Sequence, residues 1–234
     1  MRSTCLYESD GGSPRRILCF GDSNTWGYEP GTGRRFAEGV RWPGVLASEL
    51  GPGFRVVEEG LCSRTTVFED PLAAGRRGIE ALPTALESHA PLDLVVLMLG
   101  TNDLKRRYAS GAYEIALGLE RLARLVLSSG AGRASPEGTA AEAPALLLVS
   151  PPPLGELGEN GAAFEGGRAA SLELPARVAA LAAALEAEGR AVGHLDAGSA
   201  VAAGSDGIHL DPAAHAALGR AVAAEVRALL ASAR

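Results

Sequence analysis

The sequence of 234 residues is poor in cysteine, in long apolar runs and in basic charge. Its three cysteines show no metal-ligand spacing and cannot all pair with one another, which argues against a disulfide framework. No apolar run approaches the roughly 20 residues that cross a bilayer, and residues 1–14 lack the apolar core of a signal peptide. We therefore expect a cytoplasmic protein with no membrane partner.

The charge balance excludes a further class of partner. The formal net charge is -6, and the paired arginines are scattered among acidic residues, as on a solvated surface. Nucleic-acid binding needs a basic patch, so no nucleic-acid partner is expected. The length and the hydrophobic content of 47% suit one soluble domain. We place that domain at residues 15–234, after a flexible tail of residues 1–14.

Short apolar runs rich in valine and leucine alternate with helical stretches along the chain. The strand candidates are 16–20, 54–59, 92–99, 145–150 and 191–196. The helix candidates are 41–50, a stretch within 77–89, 112–129, 171–188 and a last helix from Pro212 to about 231. Residues 130–144 are aperiodic and read as a surface loop. This alternation predicts an α/β fold with a parallel sheet and helices on both faces.

Polar residues and one glycine follow four of the predicted strands. Ser23 comes just after the first strand, Gly60 after the second, Asn102 after the third, and Asp206 and His209 after the fifth. In a parallel sheet the loops at the carboxyl ends of the strands gather at one edge. We therefore expect these five residues to meet there.

Together these residues are the parts of an acyl-transfer site. A serine hydroxyl such as Ser23 becomes a strong nucleophile only when a base takes its proton, and His209 is the candidate base. Asp206, three residues upstream, can orient the imidazole. The amides of Ser23 and Gly60 and the side-chain amide of Asn102 are candidate donors to the oxyanion that forms on the attacked carbonyl.

Each loop taken alone also has a simpler explanation as a turn, so the prediction depends on their conjunction. A metal site made of Asp206, His209 and His215 is an alternative, but no HExxH or Cys/His cluster supports it. His89 and His194 are interpreted as structural or solvated residues, as is His215.

The four loops resemble the conserved blocks of the SGNH hydrolases, also called the GDSL family. Ser23, Gly60, Asn102 and His209 match the residues of the four blocks, and Asp206 matches the acid before the histidine. The segments are most similar to the bacterial arylesterase/acyltransferases of this family, from about residue 15 to the C-terminus. They include GDSNTWGY (21–28), EEGLCSRTT (58–66), PLDLVVLMLGTND (91–103) and DGIHL (206–210).

This resemblance implies a flavodoxin-like three-layer α/β/α sandwich with a five-stranded parallel sheet. It implies a serine esterase/acyltransferase that hydrolyses short-chain aryl or alkyl esters through an acyl-enzyme on Ser23. The acyl acceptor is then water or an alcohol, no cofactor or metal is needed, and the chain forms a homo-oligomer. Trp26 and Phe164 match residues that line an apolar entrance, and Leu61 is a further candidate for substrate binding. Cys62 and Ser63 depart from the small residues of the subgroup.

Two other functions remain open at this point. A carbohydrate or other small-molecule deacetylase of the same family would carry the same triad in a more polar pocket. The apolar side chains expected at the pocket, Trp26, Leu61, Leu104 and Phe164, favour the esterase. A non-catalytic flavodoxin-like binder of a nucleotide or flavin is the alternative from another class, but neither GxGxxG nor GxxxxGK[ST] is present.

Overall fold

The computed structural model describes residues 13–133 and 142–232. The predicted tail therefore lies outside the described residues except for its last two positions, and the centre of the predicted 130–144 loop also lies outside them. Within the described part of the chain, no helix is long and apolar enough to span a membrane.

Five parallel strands form one sheet, as the sequence predicts. They are β1 (Arg15–Gly21), β2 (Phe54–Gly60), β3 (Leu94–Met98), β4 (Ala145–Ser150) and β5 (Val192–Asp196). Their order is β2-β1-β3-β4-β5. The central strands β3 and β4 are buried at every position, because helices cover both faces of the sheet. The edge strand β2 carries polar residues and is half-buried.

Six α-helices accompany the sheet in the part of the chain that the structure describes. They are α1 (Ser23–Trp26), α2 (Trp42–Leu50), α3 (Gly78–His89), α4 (Ala112–Ser128), α5 (Gly167–Ala187) and α6 (Pro212–Ser232). Two apolar clusters lie on opposite faces of the sheet: one holds buried residues of α3, α4 and α5, and the other holds those of α2 and α6. The three-layer α/β/α sandwich is confirmed.

Local chemistry explains where the helices begin and which face they bury. Asp211 accepts a hydrogen bond from Ala214 N at 2.7 Å, and Pro212 occupies the first helical position of α6. In α4 the predicted apolar face is fully buried at Ile115, Leu122 and Val126. Helix α1, with only four residues, is too short to give a periodic signal and was not predicted.

The strand order positions the site. The chain passes from β1 to β2 on one side, and β3 then pairs with the other side of β1. Ligands of open parallel sheets bind at such a reversal, beyond the carboxyl ends of the strands. The loops after β1, β2 and β3 all open there.

Candidate active site

A chain of hydrogen-bonded side chains joins the loop after β1 to the loop before α6. Ser23 Oγ lies 3.0 Å from His209 Nε2, and His209 Nδ1 lies 2.6 Å from Asp206 Oδ2. Ser23 is almost fully buried, whereas His209 and Asp206 are half-buried. The structure thus brings together the three residues for which the sequence predicts nucleophile, base and acid roles.

The end of β1 places the serine. Asp22 accepts a hydrogen bond from Asn24 N at 3.0 Å, which caps the short helix α1 so that Ser23 is its first residue. A side chain on Gly21 would lie 2.0 Å from Thr25 Oγ1. The chain can therefore turn this sharply into α1 only with glycine at the end of the strand.

Asn24 attaches the serine loop to the histidine loop. Its Nδ2 donates to Ile208 O at 3.2 Å, and its Oδ1 accepts from Leu210 N at 3.0 Å. These two backbone groups flank His209, and Asn24 is buried. The sequence analysis did not assign a role to this residue, because its partners lie more than 180 positions away.

The aspartate is held as a carboxylate. Asp206 Oδ1 accepts hydrogen bonds from Ile208 N at 2.9 Å and from His209 N at 2.8 Å. Burial by itself raises the pKa of Asp206, but the hydrogen bonds from the His209 side chain and the two backbone amides outweigh it and lower that pKa to about 2. Asp206 is therefore ionised at neutral pH and available to the imidazole.

Gly60, whose amide is a predicted oxyanion donor, lies where β2 meets β1 and α1. Leu61 N donates to Gly21 O of β1 at 3.1 Å, and Glu59 O accepts from the guanidinium that also binds Gly21 O. Because the N–H groups of a strand alternate in direction, the Gly60 N–H faces away from β1. A side chain at Gly60 would lie 2.2 Å from Trp26 N, so the glycine allows β2 to approach α1 closely.

Ser63, three residues further on, has an uncommon backbone conformation. Its φ is +64°, a left-handed conformation that is uncommon for residues other than glycine. Within residues 13–133 and 142–232, no hydrogen bond from Ser63 N to a protein acceptor is found. Asn102 lies nearby, since its Nδ2 donates to Arg64 O at 3.1 Å. A strained turn after a strand is not visible in the sequence.

The predicted substrate-binding residues lie in different surroundings. Trp26 is half-buried, with the Arg35 guanidinium 5.3 Å from its ring centroid, and Leu61 is half-buried at the end of β2. Phe164 is buried, and the Lys105 ammonium lies 5.8 Å from its ring centroid. Leu104 belongs to the apolar core.

Two residues that the sequence analysis did not single out also line the site. The ring of Tyr28 packs against His209 at a tilt of 32°, with the centroids 4.3 Å apart. Lys105 is buried, and its Nζ lies 3.5 Å from Ser63 Oγ. Burial lowers the pKa of Lys105, although nearby carboxylates oppose that effect.

The other histidines have structural partners. His89 pairs with Glu59, and His194 Nε2 lies 2.7 Å from Ser150 Oγ. His215 is fully buried and accepts a hydrogen bond from Trp42 N through Nδ1. In the part of the chain that the structure describes, no cluster of three or more metal-ligating side chains occurs, so the alternative metal site is not formed.

A parallel α/β/α sandwich with a serine–histidine pair at its rim defines the class of serine hydrolases. More specifically, the sequence pattern of the GDSL-like lipase/acylhydrolase family matches residues 19–217, and the chain belongs to this family. It is an enzyme that hydrolyses carboxylic esters. The non-catalytic binder is therefore not the function of this protein.

Solved structures of similar proteins agree with this assignment. An aryl esterase of M. smegmatis, in native and inhibitor-bound forms, is 44% identical with a TM-score of 0.84; the match covers 92% of this chain and 99% of that one. The carbohydrate acetylesterase Est24 of Sinorhizobium meliloti is 41% identical with a TM-score of 0.85, and the coverage is again 92% and 99%. No curated protein matched the chain.

Proposed function

We propose that Ser23 is the nucleophile of an esterase, that His209 is its base, and that Asp206 orients the imidazole. The observation that carries this proposal is the pair of contacts at 3.0 Å and 2.6 Å that joins the three side chains. When Ser23 Oγ attacks the ester carbonyl, His209 Nε2 takes the hydroxyl proton and passes it to the departing alcohol. Water or an alcohol then attacks the acyl-enzyme by the same steps in reverse.

The oxyanion donors we propose are Ser23 N, Ser63 N and Asn102 Nδ2. Ser23 N is a first-turn amide of α1, which has no acceptor inside the helix. Ser63 N is free for an oxygen of the substrate, whereas the Gly60 N–H faces away from β1. Ser63 N therefore replaces Gly60 N in this proposal, and Gly60 keeps a packing role.

We propose short-chain aryl or alkyl esters as substrates, with transfer of the acyl group to alcohols as well as to water. The similarity to the M. smegmatis aryl esterase supports this choice. The apolar ring of Phe164, buried beside Lys105, agrees with an apolar acyl or aryl group. Assembly into a homo-oligomer and a cytoplasmic location stay predictions of the sequence.

A second candidate is the removal of acetyl groups from a carbohydrate. The similarity to the S. meliloti carbohydrate acetylesterase supports it, as does the ammonium of Lys105 near Ser63. A buried donor of this kind suits a hydroxyl or ring oxygen better than an aryl group.

The test measures turnover of p-nitrophenyl acetate and of an acetylated sugar by the wild type and by Ser23→Ala, with and without added alcohol. We expect the wild type to hydrolyse the aryl ester and to form the ester of the added alcohol. Ser23→Ala should lose at least about 1,000-fold in kcat, since the nucleophile is removed. Ser128→Ala, an exposed serine on α4, is the matched control and should keep full activity.

Undiminished turnover by Ser23→Ala would overturn the proposed nucleophile. Release of acetate from the sugar without turnover of the aryl ester would establish the deacetylase instead. Hydrolysis without any ester of the added alcohol would remove acyl transfer from the proposal.

A further inference from the structure

Arg64 is a buried cation whose hydrogen bonds, among the described residues, go to backbone carbonyls and not to a carboxylate. It is 5% exposed. Its Nη1 donates to Gly21 O at 2.8 Å and also to Glu59 O. Its guanidinium carbon lies 4.1 Å from the centroid of the Phe20 ring, so the ring face also stabilises the cation.

Protein stability alone does not favour an arginine in this environment. Burial lowers the pKa of Arg64 to about 10, although the charges of Glu59 and Asp22 oppose that effect. Its Nε is buried without a hydrogen-bond partner among the described residues. A buried charge with an unpaired donor costs folding free energy, and an apolar side chain of similar volume avoids that cost. A functional reason for the charge is therefore worth seeking.

The carbonyls that Arg64 binds stand directly before the reactive loops. Gly21 O is the last carbonyl of β1 and precedes Asp22 and Ser23. Glu59 O is the carbonyl that precedes Gly60, at the start of the loop that reaches Ser63. The Arg64 guanidinium therefore links the carboxyl ends of β1 and β2, just before the segments that carry the proposed donors Ser23 N and Ser63 N.

The backbone of Arg64 fixes the third proposed donor. Arg64 O accepts from Asn102 Nδ2 at 3.1 Å, which occupies one N–H of the Asn102 amide. The other N–H has only a long contact of 3.5 Å to Asp22 Oδ2, which a substrate oxygen can replace. Arg64 N in turn donates to Leu61 O at 3.1 Å, which closes the turn that contains Ser63. Side chain and backbone of one residue thus contact every segment that carries a proposed oxyanion donor.

We propose that Arg64 is a positioning residue for the oxyanion hole, holding Ser23 N, Ser63 N and Asn102 Nδ2 in their relative geometry through its contacts with Gly21, Glu59 and Asn102. This inference rests on the proposed function of those three groups. Its buried positive charge also lies behind the hole and favours the negative charge that develops on the ester oxygen. Preorganised donors stabilise the transition state more than the bound ester. Loss of the Arg64 contacts should therefore lower kcat and leave KM nearly unchanged.

The experiment compares Arg64→Met and Arg64→Lys with Arg41→Met. Arg41 is a matched control because it is also buried, but its hydrogen bonds go to Glu58 and Phe36 O and not to Gly21, Glu59 or Asn102. The measurements are kcat and KM for p-nitrophenyl acetate, the affinity for phenylboronic acid, and the free energy of unfolding. Phenylboronic acid is the probe because its adduct with a serine is a tetrahedral anion, which resembles the transition state.

We expect Arg64→Met to lose about 10- to 100-fold in kcat, a part of the loss seen when an oxyanion donor is deleted. KM should change less than about threefold, and the affinity for phenylboronic acid should fall in parallel with kcat. Arg64→Lys should lose less than Arg64→Met, since it keeps the charge but not the planar fork of donors. Arg41→Met should lose stability and keep kcat within about threefold.

A kcat of Arg64→Met equal to that of Arg41→Met would overturn the inference, as would a fall in kcat with unchanged affinity for phenylboronic acid. If Arg64→Met does not fold, Arg64→Lys decides by the same two readouts. Failure of this inference is distinguishable from failure of the proposed function, because the latter shows as turnover that survives Ser23→Ala. A cycle with Asn102→Ala adds a further check: the two losses in kcat should be less than additive.

Discussion

Asn24 links the segment that carries Ser23 to the segment that carries His209. It follows Ser23 directly, and its side-chain amide contacts the backbone on both sides of His209. Both atoms of the amide are used, so the orientation of the side chain is fixed. Ser23 and His209, which lie far apart in the sequence, are thus linked through one side chain.

We predict that Asn24→Ala lowers kcat about 10-fold with little change in KM, because the His209 loop loses its attachment and the 3.0 Å contact to Ser23 is no longer fixed. The loss of two buried hydrogen bonds should also lower the free energy of unfolding by about 1–3 kcal/mol. Steady-state kinetics and urea unfolding measure the two effects. Wild-type kcat in a destabilised Asn24→Ala would show that Asn24 supports the fold and not the site.

At the level of elements, the contact between β2 and α1 positions Ser23, the proposed nucleophile. Gly60 at the end of β2 lies against the backbone of Thr25 and Trp26, so the strand and the short helix touch without a side chain between them. Ser23 is the first residue of that helix. Any displacement of α1 therefore moves the serine relative to His209.

We predict that Gly60→Ala lowers the free energy of unfolding by about 1–3 kcal/mol and lowers kcat, because the new Cβ overlaps Trp26 N. Alanine keeps the backbone N–H, so the substitution distinguishes a role of Gly60 as an amide donor from its role in the close packing of β2 against α1. If Gly60 were important for its amide alone, Gly60→Ala would keep both stability and activity. Gly53→Ala, just before β2, meets open space and is the control that should be tolerated.

For the whole molecule, two buried titratable groups oppose each other in their effect on stability. Burial lowers the pKa of His215 to about 4. Burial also raises the pKa of Asp103 to about 6, against the hydrogen bonds from Thr66 that lower it. Both side chains are fully buried.

His215 stabilises the fold above its unfolded pKa near 6.5, and this contribution is lost as the pH falls toward 4. The contribution of Asp103 is present below about pH 4 and is lost as the pH rises through 6.

We predict that the two contributions, each about 3 kcal/mol over its range, nearly cancel in the wild type between about pH 4 and 6. Relative to the wild type, Asp103→Asn should gain stability steeply as the pH rises through this window. His215→Asn, which keeps an acceptor for Trp42 N, should lose stability over the same window. Urea unfolding at a series of pH values gives both difference curves. Curves parallel to that of the wild type would show that neither group titrates as described.

The elements were predictable because their signals are local. The strands appeared as short valine- and leucine-rich runs, and the structure moves their ends by only one or two residues. Helix α5 begins at Gly167, earlier than the predicted 171, since its first turn contains glycine and alanine, which give no periodic signal. Helix α1 was missed for its shortness. The sequence prediction therefore failed at the ends of elements and at one very short helix, where capping and tertiary contacts determine the conformation.

By itself, the sequence determined the parallel α/β sandwich and the meeting of Ser23, Asn102, Asp206 and His209 at one rim. The physical reason is that parallel strands place all their carboxyl ends at the same edge. Only the tertiary structure suggested Ser63 N in place of Gly60 N as the proposed donor, because the direction of an N–H depends on the local backbone conformation. The contacts of Asn24 and Arg64 likewise depend on the fold, because their partners are backbone groups that every sequence carries.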